Sequence, residues 1–332
     1  MRASKALDPA ARRDPAAPVT EERTRTRMSV QRALTLIWRQ RALYLLLLPA
    51  VVLTFVFRYI PVYGLTLAFK DYSTTLGPFR SPFTDPIFYN FFFFQDPEFW
   101  YVLRNTVRIS VAKFLAAWPM PIVLALLLNE VRHRSFKRTI QTVAYLPHFL
   151  SWVILARIIY DLLSWEATSP FNQIRAVLGL DPVALMGDKS AFIPILVVSN
   201  IFKEVGWGTI IYLAAITRID PELYEAALAD GAGRWAQLWH VTLPGMLPII
   251  AILLVLGIPG ILSAGFDQIY NLMNPTIAEM AYVTDYYVLR VGLIQGNYAF
   301  AAAMGLVFSV IALALVLTAN FISKRSAGTG IW

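Results

Sequence analysis

The chain has 332 residues, 57% of them hydrophobic and only 15% charged, with a formal charge of +8 and a mean hydropathy of +0.56. Such a balance excludes an ordinary soluble domain and points to a lipid bilayer as the solvent. The lack of any cysteine excludes disulfides and thiolate metal sites, and the basic excess is accounted for by membrane topology without a nucleic-acid partner.

Residues 1–40, rich in Arg, Ala and Pro with little to bury, read as a basic, disordered tail. A cleavable signal peptide is not expected, because the first apolar stretch begins only at residue 42 and no small-residue cleavage site follows closely. A helix needs about 20 mostly apolar residues to cross the hydrocarbon, and six stretches qualify: 42–60, 107–128, 139–163, 191–217, 243–266 and 299–323. Residues 41–323 therefore read as one six-helix transmembrane domain, followed by a C-terminal tail, 324–332. Ten Lys and Arg lie in residues 1–41, and Arg132, Arg134, Lys137 and Arg138 follow the second span. Lys324 and Arg325 follow the last span, while segments 71–98, 166–188 and 267–285 lean acidic. Basic residues are retained on the cytoplasmic side, so both termini are expected there.

Between the first two spans, residues 87–101 include Phe91, Phe92, Phe93, Phe94 and Trp100, which suits an interfacial helix covering the bundle better than a ligand cage. Lys113 in the second span and Arg157 in the third can snorkel towards an interface, and Arg157 is also a pathway candidate. His148, beside Pro147, fits a packing histidine better than a proton relay. In the middle of the fourth span stand Lys203 and Glu204, with Asn200 one turn before the glutamate. Charges at that depth need a reason. Adjacent residues point about 100° apart, so they cannot simply neutralise one another. An ion pair to another subunit and a place on a translocation path both fit. Gly257, Pro259 and Gly260 should bend the fifth span, as a pathway wall or as a packing kink.

Residues 218–242 are too polar for lipid and too patterned for an idle connection. Asp220 can cap a helix whose first residue is Pro221, with Glu222 favourable at its positive end. Leu223, Ala226 and Ala227 then share a face smooth enough for another backbone to approach. Gly231 and Gly233 break that helix, and Trp235, Leu238 and Trp239 form a second apolar stripe leading to Leu243 and Pro244. The pattern suits either an amphipathic connection on the lipid surface or a docking site. No G-x-x-x-x-G-K-[ST] phosphate loop occurs, so any ATPase is another protein, and with three histidines (His133, His148, His240) and no catalytic motif an enzyme is not expected.

Glu225, Ala226, Ala227, Gly231 and then Val241, Leu243 and Pro244 resemble the EAA motif of binding-protein-dependent ATP-binding-cassette importer permeases, departing at Val241, where the family commonly has Ile. Three further strings, 145–152, 206–215 and Asn105-Thr106, are similar to the polysaccharide-importer permeases of the LplB type, and the likeness runs from about Arg41 to Trp332. The resemblance implies an all-α polytopic, MetI-like type I importer permease in a bacterial inner membrane. Its coupling loop would dock on the ATPase through Glu225, Ala226, Ala227, Asp230, Gly231, Leu243 and Pro244. It also implies a second homologous permease, two ATPase subunits that hold ATP and Mg while this chain binds no cofactor, and an extracytoplasmic solute-binding protein. The implied substrate is an oligosaccharide or polysaccharide, some relatives handling uronate polymers such as alginate. An ion-gradient-driven secondary transporter is the alternative, and it would show internal repeats that are not evident here.

Overall fold

The computed structural model describes residues 38–164, 166 and 168–327. The expected disordered tail, apart from residues 38–40, and the end of the C-terminal tail lie outside the described residues. The chain divides into two units, residues 1–61 and 62–332. Among the described residues the backbone is helical or irregular, save an isolated antiparallel bridge between Lys70 and Phe83.

In the first unit, α1 (Arg41–Thr54) continues into a π turn, Phe55–Tyr59, and buries no residue. A helix apolar on all sides suits lipid, where its backbone groups are satisfied within the helix.

The second unit is built around α7 (Lys189–Ile216), started by Asp188, whose carboxylate accepts from the Ser190 N–H at 2.7 Å. Against it pack α2 (Pro97–Ala117) and α3 (Met120–Glu130), which together form one span, then α4 (Arg134–Tyr145) and α10 (Leu243–Gly257). Glycines set the closeness of this packing. A Cβ on Gly206 would overlap the Ala144 carbonyl, and one on Gly208 would lie 2.9 Å from Pro121. The second span starts at Pro97, ten residues before the apolar stretch suggests. Its first turns bury Phe99, Val102, Asn105 and Thr106 against protein, where hydropathy is no guide.

The expected third span, 139–163, is not one rod. It turns by 104° between the segment Arg134–Phe149 and α5 (Trp152–Leu163). Pro147 sits in the 3-10 turn Leu146–Phe149, and Ser151 caps the new helix by accepting from the Ile154 N–H at 3.3 Å; the short α6 (Pro170–Val177) follows before α7. The fifth span also departs from expectation. It begins at Arg234 in α9 (Arg234–Gln237), passes through a π turn (Leu238–Thr242) into α10, and ends at Leu262. At its far end the Gly257, Pro259 and Gly260 run tightens the helix into a 3-10 turn, Ile258–Leu262. Gly265, at φ +86°, then redirects the chain into α11 (Phe266–Leu272). Then come α12 (Thr284–Val288) and the long α13 (Tyr298–Ala327). Among the described residues five helices are long and apolar enough to cross a membrane, or six if the bent pair is one span.

Three buried clusters hold these elements together. Ile109, Phe192, Leu196 and Ile269 join α2, α7 and α11; Phe93, Phe99, Tyr287 and Met304 join α2, α12 and α13; Ile122, Tyr212 and Met246 join α3, α7 and α10. The aromatic run is divided between them. Residues 89–95 form a 3-10 turn that sends Phe93 into the second cluster, and Trp100 belongs to α2, so no single interfacial helix covers 87–101.

Candidate functional site: an exposed helical loop and two inward-pointing lysines

The connection between α7 and the fifth span folds as a helix and a turn. In α8 (Pro221–Ala229) the Asp220 carboxylate accepts from the Glu222 N–H at 3.0 Å, and Pro221 occupies the first helical position. The helix ends in a Schellman motif. Gly231, at φ +79°, donates to Leu228 O at 3.0 Å, and Ala232 donates to Ala227 O at 2.8 Å. No residue of α8 is buried. Glu225, Ala226, Asp230 and Gly231 are exposed and Ala227 is half-buried, and these five lie together on the last turns of α8 and its cap. Leu243 and Pro244 stand apart, more than two turns along the next helix from Arg234. The expected second stripe is largely uncovered, with Trp235 75% and Trp239 62% exposed and only Leu238 half-buried. For Trp239 the π turn is the reason, because its wider winding moves residues after 238 off a 3.6-residue face; Trp235 precedes that turn, on the first turn of the helix.

Two residues that sequence reasoning missed tie this loop to the spans. Tyr224 bonds the buried Thr242 hydroxyl at 3.0 Å, and Arg234 lies 3.8 Å from Glu130 at the end of α3. A tyrosine on a short amphipathic helix carries no signal of its partner 18 residues on. The turn is thus attached to two membrane helices while its surface stays open.

Inside the spans, Lys203 is buried, and its ammonium donates to His148 O at 2.7 Å and Leu150 O at 2.6 Å. Those are carbonyls left without helical partners by the break in the third span, at the negative end of its first half. The same ammonium lies 5.6 Å from the Trp152 ring centroid. Lys203 and Glu204 do not simply neutralise one another: Lys203 Nζ is 4.0 Å from Glu204 Oε1, while both side chains reach across to His148 in the broken third span, the lysine to its carbonyl and the glutamate to its ring. The partners of Lys203 lie within this chain, so no other subunit is needed to pair it. Glu204 takes a hydrogen bond from His148 Nδ1 at 2.9 Å, yet its side chain stays 40% exposed. The His148 ring stacks on Trp207 at 4.5 Å and 3°, with Phe149 edge-on to Trp207. His148 is the satisfied packing histidine that its place beside Pro147 suggested. Asn200 is half-buried one turn before Glu204, whereas Arg157 is held on the exposed face of α5 by Asp161 at 2.9 Å.

Lys113 does not snorkel. It points inward, donating to Ala264 O at 2.9 Å and Gln268 Oε1 at 2.6 Å, at the break that follows the fifth span. Gln268 in turn donates to Leu196 O and Ser199 Oγ, both at 2.8 Å. Buried Lys203 and half-buried Lys113 thus each satisfy backbone freed by a helix break. Among the described residues no three or more His, Asp or Glu gather to hold a metal.

With this geometry established, residues 117–327 match the family model described as "Binding-protein-dependent transport system inner membrane component". Protein LplB of Bacillus subtilis is 40% identical over 296 residues, 89% of this chain and 92% of that protein. The Bacillus subtilis polygalacturonan/rhamnogalacturonan transport system permease protein YteP is 39% identical, covering 91% of this chain and 94% of its own. In the crystal structure of a bacterial alginate ABC transporter in complex with alginate pentasaccharide-bound periplasmic protein, one chain superposes with a TM-score of 0.80 at 40% identity, covering 90% of this chain and 100% of that one. The exposed loop, the broken membrane helices and these likenesses agree, and the chain belongs to the family of binding-protein-dependent transport system inner membrane components.

Proposed function

We propose that this chain is the permease subunit of an ATP-binding-cassette importer for a saccharide, working with a second homologous permease, two ATPase subunits and an extracytoplasmic solute-binding protein. ATP and Mg belong to the ATPase pair, and this chain supplies none of their ligands. The observation that carries the reading is the exposed turn from Glu225 to Gly231, which is fastened through Tyr224 and Thr242 to the head of the fifth span. Force applied to that turn reaches a membrane helix through a hydrogen bond and a continuous backbone. The distribution of Lys and Arg supports a cytoplasmic position for α8 and both termini in a bacterial inner membrane.

The pathway candidate is Glu204, with Asn200 on its face and Lys203 as its internal support. A carboxylate 40% exposed at membrane depth is too costly to face lipid, so it lines an aqueous cavity. Beside it, the exposed Trp207 ring, backed by the packed His148 ring, offers flat apolar surface next to a hydrogen-bond acceptor, the combination on which a sugar ring rests. Arg157, paired on an exposed face, is the weaker candidate. In alternating access, closure of the ATPase pair would move α8, tilt the fourth and fifth spans, and open this cavity outward.

The test is co-purification of this chain with its ATPase and second permease, comparing the natural protein with Gly231→Trp. A stable complex whose hydrolysis is stimulated by the loaded binding protein, and loses that stimulation in the variant, supports coupling through this loop. Failure of any ATPase to associate overturns the importer reading, and uptake that survives ATP depletion makes an ion gradient the driving force.

A further inference from the structure

At the end of the second unit opposite α8, the segment 71–90 and the start of α13 enclose a cleft of about 660 Å³. We propose that this cleft is a subsite for an uncharged saccharide segment on the outer face of the permease, an inference that rests on the saccharide-importer reading and narrows its substrate class.

The walls are fixed by bonds that leave five of the lining side chains free. Asp71 N donates to Pro82 O and Thr84 N donates to Phe69 O, both at 3.0 Å. The Asn90 amide donates to Ala68 O and Lys70 O at 3.1 and 2.9 Å, and on the facing wall Asn297 Oδ1 accepts from the Phe300 N–H at 3.1 Å. In contrast, the Asp71 and Asp85 carboxylates, the Gln295 amide and the Tyr72 and Tyr89 hydroxyls find no hydrogen-bond partner among the described residues, and all five line the cleft. Tyr72 is steadied edge-on against Tyr298 at 5.6 Å, and Tyr89 against Phe92 at 5.9 Å. The volume falls within the range of small-ligand sites, roughly 300–1,000 Å³. Aromatic walls suit the C–H faces of sugar rings, and carboxylates and amides suit their hydroxyls.

Charge decides between saccharide classes. The lining holds two carboxylates and no Lys or Arg, so a uronate polymer would meet like charge with nothing to offset it, whereas a neutral sugar meets two strong acceptors. A bare cation is disfavoured, because no group of three or more acidic or histidine ligands occurs among the described residues.

The experiment uses the assembled transporter in lipid nanodiscs and reads saturation transfer from protein to ligand by NMR. The probes are maltopentaose, xylopentaose and mannopentaose as neutral chains and alginate pentasaccharide as the anionic one. We expect transfer to at least one neutral probe, weakened tenfold or more in affinity by the near-isosteric Asp71→Asn/Asp85→Asn pair and by Tyr72→Ala, and none to the alginate probe in the natural protein. The subsite is overturned by transfer to alginate as strong as to the neutral chains, by a neutral signal that both variants leave unchanged, or by no signal from any neutral probe. ATP-driven uptake of saccharide, measured in parallel, separates the two readings. Uptake without a cleft signal sinks only the subsite, and no saccharide uptake at all sinks the importer reading with it.

Discussion

Replacing Lys203 by methionine would leave the His148 and Leu150 carbonyls without their donor in a place water reaches poorly. A buried polar group that loses its partner costs about 1–3 kcal/mol, so the two together should cost roughly 2–6 kcal/mol. Lys203→Met should therefore lower the unfolding temperature of the purified protein by several degrees, with Lys203→Arg retaining part of the loss. An unchanged transition would mean that these carbonyls are hydrated. Gly206 is equally exacting for a steric reason. Even Gly206→Ala sets a Cβ on the Ala144 backbone and should cost about 1–3 kcal/mol, read in the same thermal assay. The sequence marks Lys203 as a residue needing an explanation, because charge inside a span is visible in one dimension. It does not disclose the explanation, since the acceptors lie 53 and 55 residues away and exist only because another helix breaks there.

Gly231 separates two effects within a single turn. Its φ of +79° disfavours most side chains, yet an added Cβ meets nothing within 4 Å. Asparagine tolerates that backbone conformation and tryptophan does not. Gly231→Asn should keep α8 intact while placing a side chain on the docking surface, and Gly231→Trp should disturb both. If binding-protein-stimulated ATP hydrolysis falls in both variants, the surface is what matters. If it falls only with tryptophan, the turn geometry is. This helix was legible from Asp220 to Gly231 because its start and stop signals are local: a capping carboxylate, a proline and a glycine. The break in the third span and the π turn before the fifth were not, since Pro147 or a run such as 238–242 is compatible with a straight helix until neighbours supply partners for the freed carbonyls.

For the molecule as a whole, six apolar stretches and the placement of basic residues were enough to give the class of fold, because the bilayer fixes length and composition. What they could not give is which residues face protein, as the early start of the second span illustrates. One charge outside the spans offers a check on the assembled protein. Asp285, half-buried, accepts from the Ser263 hydroxyl at 2.9 Å, but burial still raises its carboxyl above the usual range. The folded state then holds this proton more tightly than the unfolded one, so stability falls as pH rises from the unfolded value, about 4, through the raised folded value. Asp285→Asn should match the natural protein in acid and unfold at a higher temperature near pH 7; equal transitions at both pH values would contradict the burial effect. Lys203 and Lys113 also differ in time. When Lys203 leaves the ribosome its acceptors are already made, whereas those of Lys113 follow it by 151 and 155 residues. At about 5–20 residues per second, the second span waits roughly 8–30 s with an unanswered ammonium near its midpoint. Biogenesis therefore has an order: the pairing of the third and fourth spans can close as they are synthesised, and the second span stays in need of the translocon or a chaperone until the fifth arrives.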